Sequence, residues 1–499
     1  MTRIHTDFRQ FQKPRLSNAV SHRVFSKYTH PVTCRTTGVY CKHRYVSAKI
    51  CVIRVIRVLF FMSQKSTTKN DDAWDRLFEK YQILKAVDET GVFSISSEQI
   101  NEFREARLMT KFDHRSNLPA LFQEYQLSIL PVTRGSYLIS HFDVYSDIPS
   151  TPNIVRFGFP DYIESLDYKH ITSEARAIHC AYISGMLADF TGDHDLLPTV
   201  SGRMGAGAFG FDVKNVMTGD LMRVDVENSQ IEIDGGYEGR RFLTLIEAKN
   251  SISENFLIRQ IYYPFRTWID QVNKPVKTVF LMYTNGIFSL YDYEFTDPQH
   301  YNSLALVKQK NYCIEQEDIE QQDLEQVLNS CRIVQEPEVA FPQADSFKRV
   351  VNLCELLYEH TELTREDITS NYDFDTRQTN YYTDAGRYLG LIEKSRRDGA
   401  VCYRLTTQGR GVFTLPYKAR QLKFVECIVR HRVFSACFRI YLERQKMPQK
   451  HEIVAVMKAS KLYQVNAEST FTRRASTIAA WLDWIAGLVA QTAQLEMRL

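Results

Sequence analysis

Three observations on this 499-residue sequence predict a multidomain chain that mixes α/β and α+β organisation. The composition is globular, 44% hydrophobic against 24% charged, which excludes disorder throughout. The periodicity switches, from helical spacing near residue 72 to alternation from about residue 200, and back to helical spacing near residue 346. The charge is segregated: residues 1–61 sum to +11, residues 62–415 to −16 and residues 416–474 to +9. The formal total of +3 therefore hides a basic head, an acidic body and a basic tail, a pattern that speaks to partners rather than to fold.

The head, residues 1–61, holds 12 Lys and Arg and a single acid, Asp7. Such composition suits an Arg-rich transit peptide or a nucleic-acid-binding arm. It lacks a sustained period, however, and Met62 opens the polar run Ser63–Asn70. We therefore expect residues 1–61 to be a basic extension outside the fold, with initiation at Met62. The most apolar window, Ile50–Met62, has 13 residues including Arg54 and Arg57, too short and too charged to span a bilayer. The ten cysteines contain no CxxC pair, which argues against a disulfide framework or a cysteine-based zinc site and for a reducing cytoplasm.

Residues 62–160 form the first expected module. Trp74, Leu77, Phe78, Tyr81 and Leu84 share one face of a helix over 72–90, a second helix starts at Ser96-Ser97-Glu98, and Ser128–Val132 and Ser136–Ile139 flank Arg134-Gly135 as a hairpin. This is a small α+β module of a kind seen in DNA recognition. Residues 161–335 read as a mixed-sheet core: a helix before 190, strands at 209–216, 221–226, 230–234 and 242–248, a helix over 253–272, then strands at 276–282 and 288–293. Asn285-Gly286 between the last two is a strong hairpin turn. Residues 340–415 give helices at 346–359, 364–372 and 376–389 and then a hairpin with the basic tip Ser395-Arg396-Arg397-Asp398-Gly399. Three helices and a two-stranded wing is the winged-helix order. Residues 416–499 read as a basic helical domain.

The chemistry concentrates in Glu232-Ile233-Asp234-Gly235-Gly236 and Leu245-Ile246-Glu247-Ala248-Lys249. Asp234 is expected to end one strand, with the Gly-Gly pair turning the chain back. Glu247 and Lys249, two apart on the next strand, point to one face. Carboxylates on neighbouring strands suit a hard divalent cation such as Mg2+, and a lysine beside them can orient water and offset phosphate charge, a set fit for metal-assisted phosphodiester hydrolysis. A weaker match, Asp212-Val213-Lys214 with Asp189, Asp193 and Asp195 upstream, has no strand ending on its acid. His179 and His194 have no companions at metal spacing.

These residues resemble the PD-(D/E)XK nuclease core, with Ile233 in place of the proline. Together with Thr199–Arg203, Asn250 and Arg259-Gln260-Ile-Tyr-Tyr263-Pro264 they resemble a family of type II restriction endonucleases, over a span from about Asp72 to the C-terminus. The resemblance implies a restriction-endonuclease-like core with Mg2+ as cofactor and double-stranded DNA as substrate. It implies Asp234 and Glu247 as metal ligands, the carbonyl of Ala248 as a further ligand, Lys249 as the catalytic lysine, and a cognate DNA methyltransferase as partner. Cutting two strands points to a homodimer or a transient pairing.

Other assignments stay open between two accounts. Glu174 is a helical acid brought to the metals, or an acid favoured in a first helical turn; Glu232 is a third carboxylate or a solvated strand residue. Arg259, Gln260 and Arg266 grip phosphates or decorate a surface. Arg377, Gln378, Asn380 and Arg387 on the third helix, Arg396 and Arg397 on the wing, and Arg473 and Arg474 in the tail read DNA or line polar faces. Trp481 and Trp484 are expected in a core. Two rival readings of the whole chain are a non-catalytic winged-helix regulator and a repair or RNA-processing nuclease on the same core.

Overall fold

The computed structural model describes residues 68–149, 153–314 and 317–493, so the expectations for residues 1–61 lie outside the described residues. These hold seventeen α-helices and a seven-stranded mixed sheet, an α+β architecture.

In the N-terminal module, α1 (Lys69–Tyr81) starts on a reciprocal cap in which the Thr68 hydroxyl accepts from the Asp71 N–H and the Asp71 carboxylate accepts from the Thr68 N–H. Its buried stripe of Trp74, Leu77 and Phe78 packs on Phe122, and the Trp74 indole donates to the Met109 carbonyl at 3.0 Å. The expected single helix over 72–90 is two, because Gln82 at φ 51° ends α1 in the left-handed region before α2 (Ile83–Thr90) begins. Then follow β1 (Phe93–Ser96), α3 (Ser97–Asn101), α4 (Ala106–Met109), α5 (Ala120–Glu124), β2 (Ser128–Pro131) and β3 (Ser136–Ser140). The three strands lie in the order β1–β3–β2.

The central unit begins with β4 (Tyr145–Asp147) and β5 (Ile154–Arg156), followed by helices α6 (Glu174–Ile183) and α7 (Met186–Thr191). Strand β6 (Leu197–Gly205), the hairpin β7 (Ala208–Lys214) and β8 (Leu221–Glu227), and strands β9 (Gln230–Glu238) and β10 (Leu243–Lys249) come next. After β11 (Asn255–Leu257) and α8 (Arg259–Trp268), the chain closes the sheet with β12 (Val276–Thr284), β13 (Ile287–Phe295) and β14 (Leu304–Cys313). The large sheet runs β5–β14–β13–β12–β10–β9–β6. Strands β6, β9 and β10 pair antiparallel, and the α8 crossover returns β12 parallel to β10, the handed connection that parallel neighbours require. One face buries Ile246, Ala248 and Leu281 with Ile178 and Ala181 of α6. The other buries Leu243, Leu245 and Phe280 with Ile261 and Tyr262 of α8 and Phe211 of the β7–β8 hairpin.

The C-terminal part runs α9 (Gln321–Ser330), α10 (Phe347–His360), β15 (Glu362–Thr364), α11 (Arg365–Asn371), α12 (Thr376–Tyr388), β16 (Ile392–Arg397) and β17 (Ala400–Leu405). Its strands lie in the order β15–β17–β16, the same order relative to the chain as in the N-terminal module. The hairpin tip places Asp398 at φ 51° and Gly399 at φ 79°, the two left-handed positions of a type I′ turn. Helices α13 (Thr407–Phe413), α14 (Tyr417–Val429), α15 (Arg432–Arg444), α16 (Lys450–Ala459) and α17 (Glu468–Ala493) complete the chain. Trp481 of α17 is fully buried against Phe347 and Phe434, and its indole donates to the Ala344 carbonyl at 2.7 Å.

Candidate active site

Strand β9 does not end at Asp234. It runs on through Gly235-Gly236 to Glu238, and the reversal into β10 comes at residues 239–242, where one Asp193 oxygen accepts from the N–H groups of Arg241 and Phe242 at 2.7 and 3.2 Å. The expected Gly-Gly turn is thus replaced by a bulge. Opposite β6, Val200 pairs with Gly236 and Gly202 with Ile233, so β9 carries one extra residue at Asp234-Gly235. The consequence is visible in the faces: Ile233 belongs to the α8-side core, whereas Tyr237, an even number of residues on, belongs to the α6-side core. Gly236 is required because a Cβ there would meet the Val200 Cβ at 2.7 Å and its carbonyl oxygen at 2.8 Å.

The bulge brings Asp234 to the end of β10. The β9–β10 ladder runs to Gly235–Ile246, and past it the Ala248 N–H donates instead to Asp234 Oδ2 at 2.8 Å. A strand residue directs its N–H and C=O to the same neighbour, so the Ala248 carbonyl lies on the Asp234 side as well. Lys249 Nζ sits 2.6 Å from Glu247 Oε1, and both side chains are largely withdrawn from solvent, 14% and 9% exposed. Gln260 Nε2, from the first turn of α8, donates to the same Glu247 oxygen at 2.7 Å.

Burial, reinforced by Asp234 and Asp113, pushes the Glu247 carboxyl up to about 8 against the lowering pull of Lys249. Burial likewise raises Asp234 and Glu174, again against Lys249. The Lys249 ammonium is held protonated: burial opposes this, and Glu247, Asp113, Glu174 and Asp234 outweigh it. The site is therefore short of positive charge, with three carboxyls raised around one lysine. That donor set fits a hard divalent cation held by Asp234, Glu247 and the Ala248 carbonyl with waters completing its shell. Among the described residues no group of three or more His, Cys, Asp or Glu side chains converges as ligands to one metal ion, so protein carboxylates alone do not form a closed cage.

The structure brings Glu174, at the start of α6, into electrostatic contact with Asp234 and Lys249. Glu232 stays exposed and pairs with Arg203 at 3.3 Å. Gln260 is engaged with Glu247 rather than offered to a ligand. Arg266 packs: its Nη1 donates to the Gly210 and Pro298 carbonyls and the Tyr262 hydroxyl at 2.8–3.1 Å, locking α8 to the β7–β8 hairpin. Arg259 lies over the Tyr263 ring at 5.8 Å and acts on Asp113. The Asp212–Lys214 pattern sits on β7, where Asp212 faces Arg223 at 3.7 Å, away from the large sheet.

On the C-terminal side, Gln378 closes the cap of α12 by accepting from the Asp375 N–H, and Arg387 pairs with Asp384 at 2.7 Å. Arg377 and Arg396 are exposed, Asn380 is half-buried, and Arg397 pairs with Glu362 at 3.1 Å. Arg473 is exposed at the start of α17, and half-buried Arg474 lies beside Tyr381 and Asp384 of α12, so the tail and α12 share one surface.

Two further residues have no local motif to announce them. Asp113, from the N-terminal module, acts electrostatically on Glu247 and Lys249, and Asp373 ties that module to the core and the C-terminal part. Its two oxygens accept from the Ser116 hydroxyl at 2.6 Å and the Glu254 N–H at 2.9 Å. Around the same loop, Asn352 and Glu359 of α10 accept from the Ile252 N–H at 3.0 Å and the Asn250 side chain at 3.1 Å. Residues 250–257, immediately after Lys249, are thus a junction of three modules.

Three family models match the chain, each a domain of unknown function: DUF6996 over residues 71–139, DUF6997 over 140–313 and DUF7226 over 349–490. Asp113, the Asp234–Glu247–Lys249 set and Asp373 fall one in each. No curated protein and no solved structure matches the chain.

Proposed function

We propose that the chain is a type II restriction endonuclease that hydrolyses double-stranded DNA at specific sites with Mg2+, on a restriction-endonuclease-like core. The observation that carries this is the Asp234–Glu247–Lys249 set gathered on adjacent strands and largely withdrawn from solvent, its two carboxyls raised by burial. The order of elements supports it: a helix, a mixed sheet, a crossover helix and further strands, as the resemblance to PD-(D/E)XK nucleases leads one to expect. Bound at Asp234, Glu247 and the Ala248 carbonyl, Mg2+ would polarise the phosphate and acidify water. Lys249 orients the attacking water; the water oxygen joins phosphorus, one P–O bond breaks, and the proton passes to the leaving oxygen. Gln260 keeps Glu247 in place, and Glu174 adds a half-buried acid.

The C-terminal helix–strand–helix–helix–hairpin unit is read as a winged helix, with Arg377 and Asn380 of α12 for base edges and Arg396, Arg397 and Arg473 for phosphates. Two copies acting on the two strands, a cognate methyltransferase that protects host DNA, and a cytoplasmic setting belong to the same reading. Among the described residues no helix is long and apolar enough to cross a membrane.

Incubating phage DNA with the wild-type chain and Lys249→Ala in Mg2+ tests this. Discrete fragments from the wild type and none from the variant are expected. Binding without cutting by both proteins would overturn the catalytic reading in favour of a regulator, and unspecific degradation would point to a repair nuclease.

A further inference from the structure

A small cavity opens one residue past Lys249, between the central unit and the C-terminal part. Asn250, residues 169–172 ahead of α6 and Tyr283 of β12 line one side, and α10 and Arg420 of α14 line the other. It measures about 30 Å3 to the centre of a water-sized sphere, room for a compact group of a few heavy atoms and too little for a nucleobase. Arg420 is 6% exposed, and among the described residues its Nε lacks a hydrogen-bond partner. The acid that acts on it, Glu355 of α10, spends both oxygens elsewhere, accepting from the Thr284 hydroxyl at 2.8 Å and the Asn285 N–H at 2.7 Å. Glu359, one helical turn on, accepts from the Asn250 side chain at 3.1 Å. The base of Arg420 is fixed as well: the next residue, Gln421, exchanges two amide hydrogen bonds with Asn285 of the β12–β13 turn, each 2.9 Å long.

We propose that this cavity is a phosphate site, anchored by the Arg420 guanidinium with the Lys169 ammonium at its mouth, and that it takes a backbone phosphate of the bound strand next to the one that is cut. A guanidinium buried without a hydrogen-bonded anion is costly, and an unmet buried donor calls for a ligand or an ordered water. The two carboxylates that share the cavity are already met by donors of their own. What the lining still offers is donor capacity: a planar fork that matches phosphate oxygens two at a time and, in exposed Lys169, a free-swinging point charge. The hold of Gln421 on Asn285 sets that fork before any ligand arrives, which lowers the cost of binding. The location suits a nucleic-acid strand. Asn250 directly follows Lys249 and Thr172 lies two residues ahead of Glu174, so a phosphate held here sits beside the proposed site of cleavage. That the cavity takes phosphate is independent of the nuclease reading; that the phosphate belongs to DNA rests on it.

The test uses the full chain in EDTA, with inorganic phosphate as the probe and chloride at equal ionic strength as the reference. Phosphate is expected to raise the thermal midpoint of the wild type in a saturable way. Arg420→Met should abolish the rise, and Lys169→Met should increase the half-saturating concentration about threefold. Arg332→Met, which removes an exposed arginine outside the cavity lining, should keep it. No rise in the wild type, as when water alone bridges Arg420 and Glu355, or an equal rise in Arg420→Met, would overturn the phosphate site. Should Arg420→Met fail to fold, Lys169→Met decides, and an unchanged half-saturation there overturns it. Anisotropy with a short duplex cut from phage DNA separates the two sources of phosphate. If the strand supplies it, inorganic phosphate competes with the duplex, and Arg420→Met binds more weakly with a slope of log affinity against log salt reduced by about 1. Unaltered duplex binding by Arg420→Met would assign the site to free phosphate and overturn the DNA part. If the wild type neither binds nor cuts duplex, the nuclease reading falls while the midpoint arm still decides on the cavity.

Discussion

The Ser116 hydroxyl donates to the Asp373 carboxylate at 2.6 Å, joining segments 257 residues apart. The second Asp373 oxygen accepts from the Glu254 N–H, and Arg349, itself 3% exposed, lies 3.9 Å away. Replacing Asp373 by Ala leaves the Glu254 N–H without its acceptor and removes one of the carboxylates facing the buried Arg349 guanidinium. We expect Asp373→Ala to cost about 3 kcal/mol in urea unfolding and to slow DNA cleavage, and Ser116→Ala to cost about 1 kcal/mol. A loss for Asp373→Ala no larger than that for Ser116→Ala would show that the junction bears little load.

At Gly236, β9 passes too close to Val200 of β6 to admit a Cβ. A methyl group at this position drives the strands apart beside the Asp234 bulge. Gly236→Ala is expected to destabilise by about 1–3 kcal/mol and to depress cleavage further than its stability loss explains, because Asp234 moves with the bulge. Kinetics well below the melting transition, compared with Gly411→Ala, whose Cβ meets open space, checks this.

Mg2+ is expected to raise the thermal midpoint of the wild type, since a ligand of the folded state alone stabilises by mass action. Asp234→Asn should abolish the rise, and Glu232→Gln should keep it. An equal rise in Asp234→Asn would move the cation elsewhere.

The arginines divide by what they touch. Arg396→Ala and Arg473→Ala are each expected to weaken duplex binding and to reduce the slope of log affinity against log salt by about 1. Arg266→Ala should leave that slope unchanged and lower stability instead, since its head secures α8 to the hairpin. Fluorescence anisotropy across a salt series separates the two outcomes.

His431 is buried and stacks on Tyr388 at 4.2 Å, and among the described residues both its ring nitrogens lack a hydrogen-bond partner. Burial, with Arg430 adding, pushes it down to about 3. The folded-state value thus lies below the unfolded one. The stability contributed by the neutral ring is complete above about pH 6.5 and falls as pH drops toward 3, with a slope of up to about 1.4 kcal/mol per pH unit. His431→Phe should flatten that dependence in urea midpoints taken from pH 7 to 4; an unchanged slope would place the acid sensitivity elsewhere.

Where neighbours along the chain decide the geometry, the sequence was readable. Asn285-Gly286 adopts φ 50° and 80° and turns β12 into β13, and Leu243–Ile246 lead into Glu247 as the strand that buries it. Where distant residues decide, it was not. Gly235-Gly236 signalled backbone freedom, but the use of that freedom depends on Val200. The break at Gln82 carries no glycine to mark it. Gln260 reads as a phosphate-facing polar residue until Glu247 is seen 2.7 Å away, and β15 is only three residues long. Asp113 lies in a loop without a motif, and only the bond from the Leu257 N–H to its carbonyl ties that loop to β11.

The junction behind Lys249 also orders events in time. Glu254 emerges from the ribosome 119 residues ahead of the carboxylate that accepts its N–H. At bacterial-type rates of about 5–20 residues per second, roughly 6–24 seconds separate the two. During that interval β9 and β10 exist, but the loop that follows them is not yet secured to α10 and Asp373. If the chain cuts DNA as proposed, the direction of translation itself would delay the securing of its site until the C-terminal part has been made.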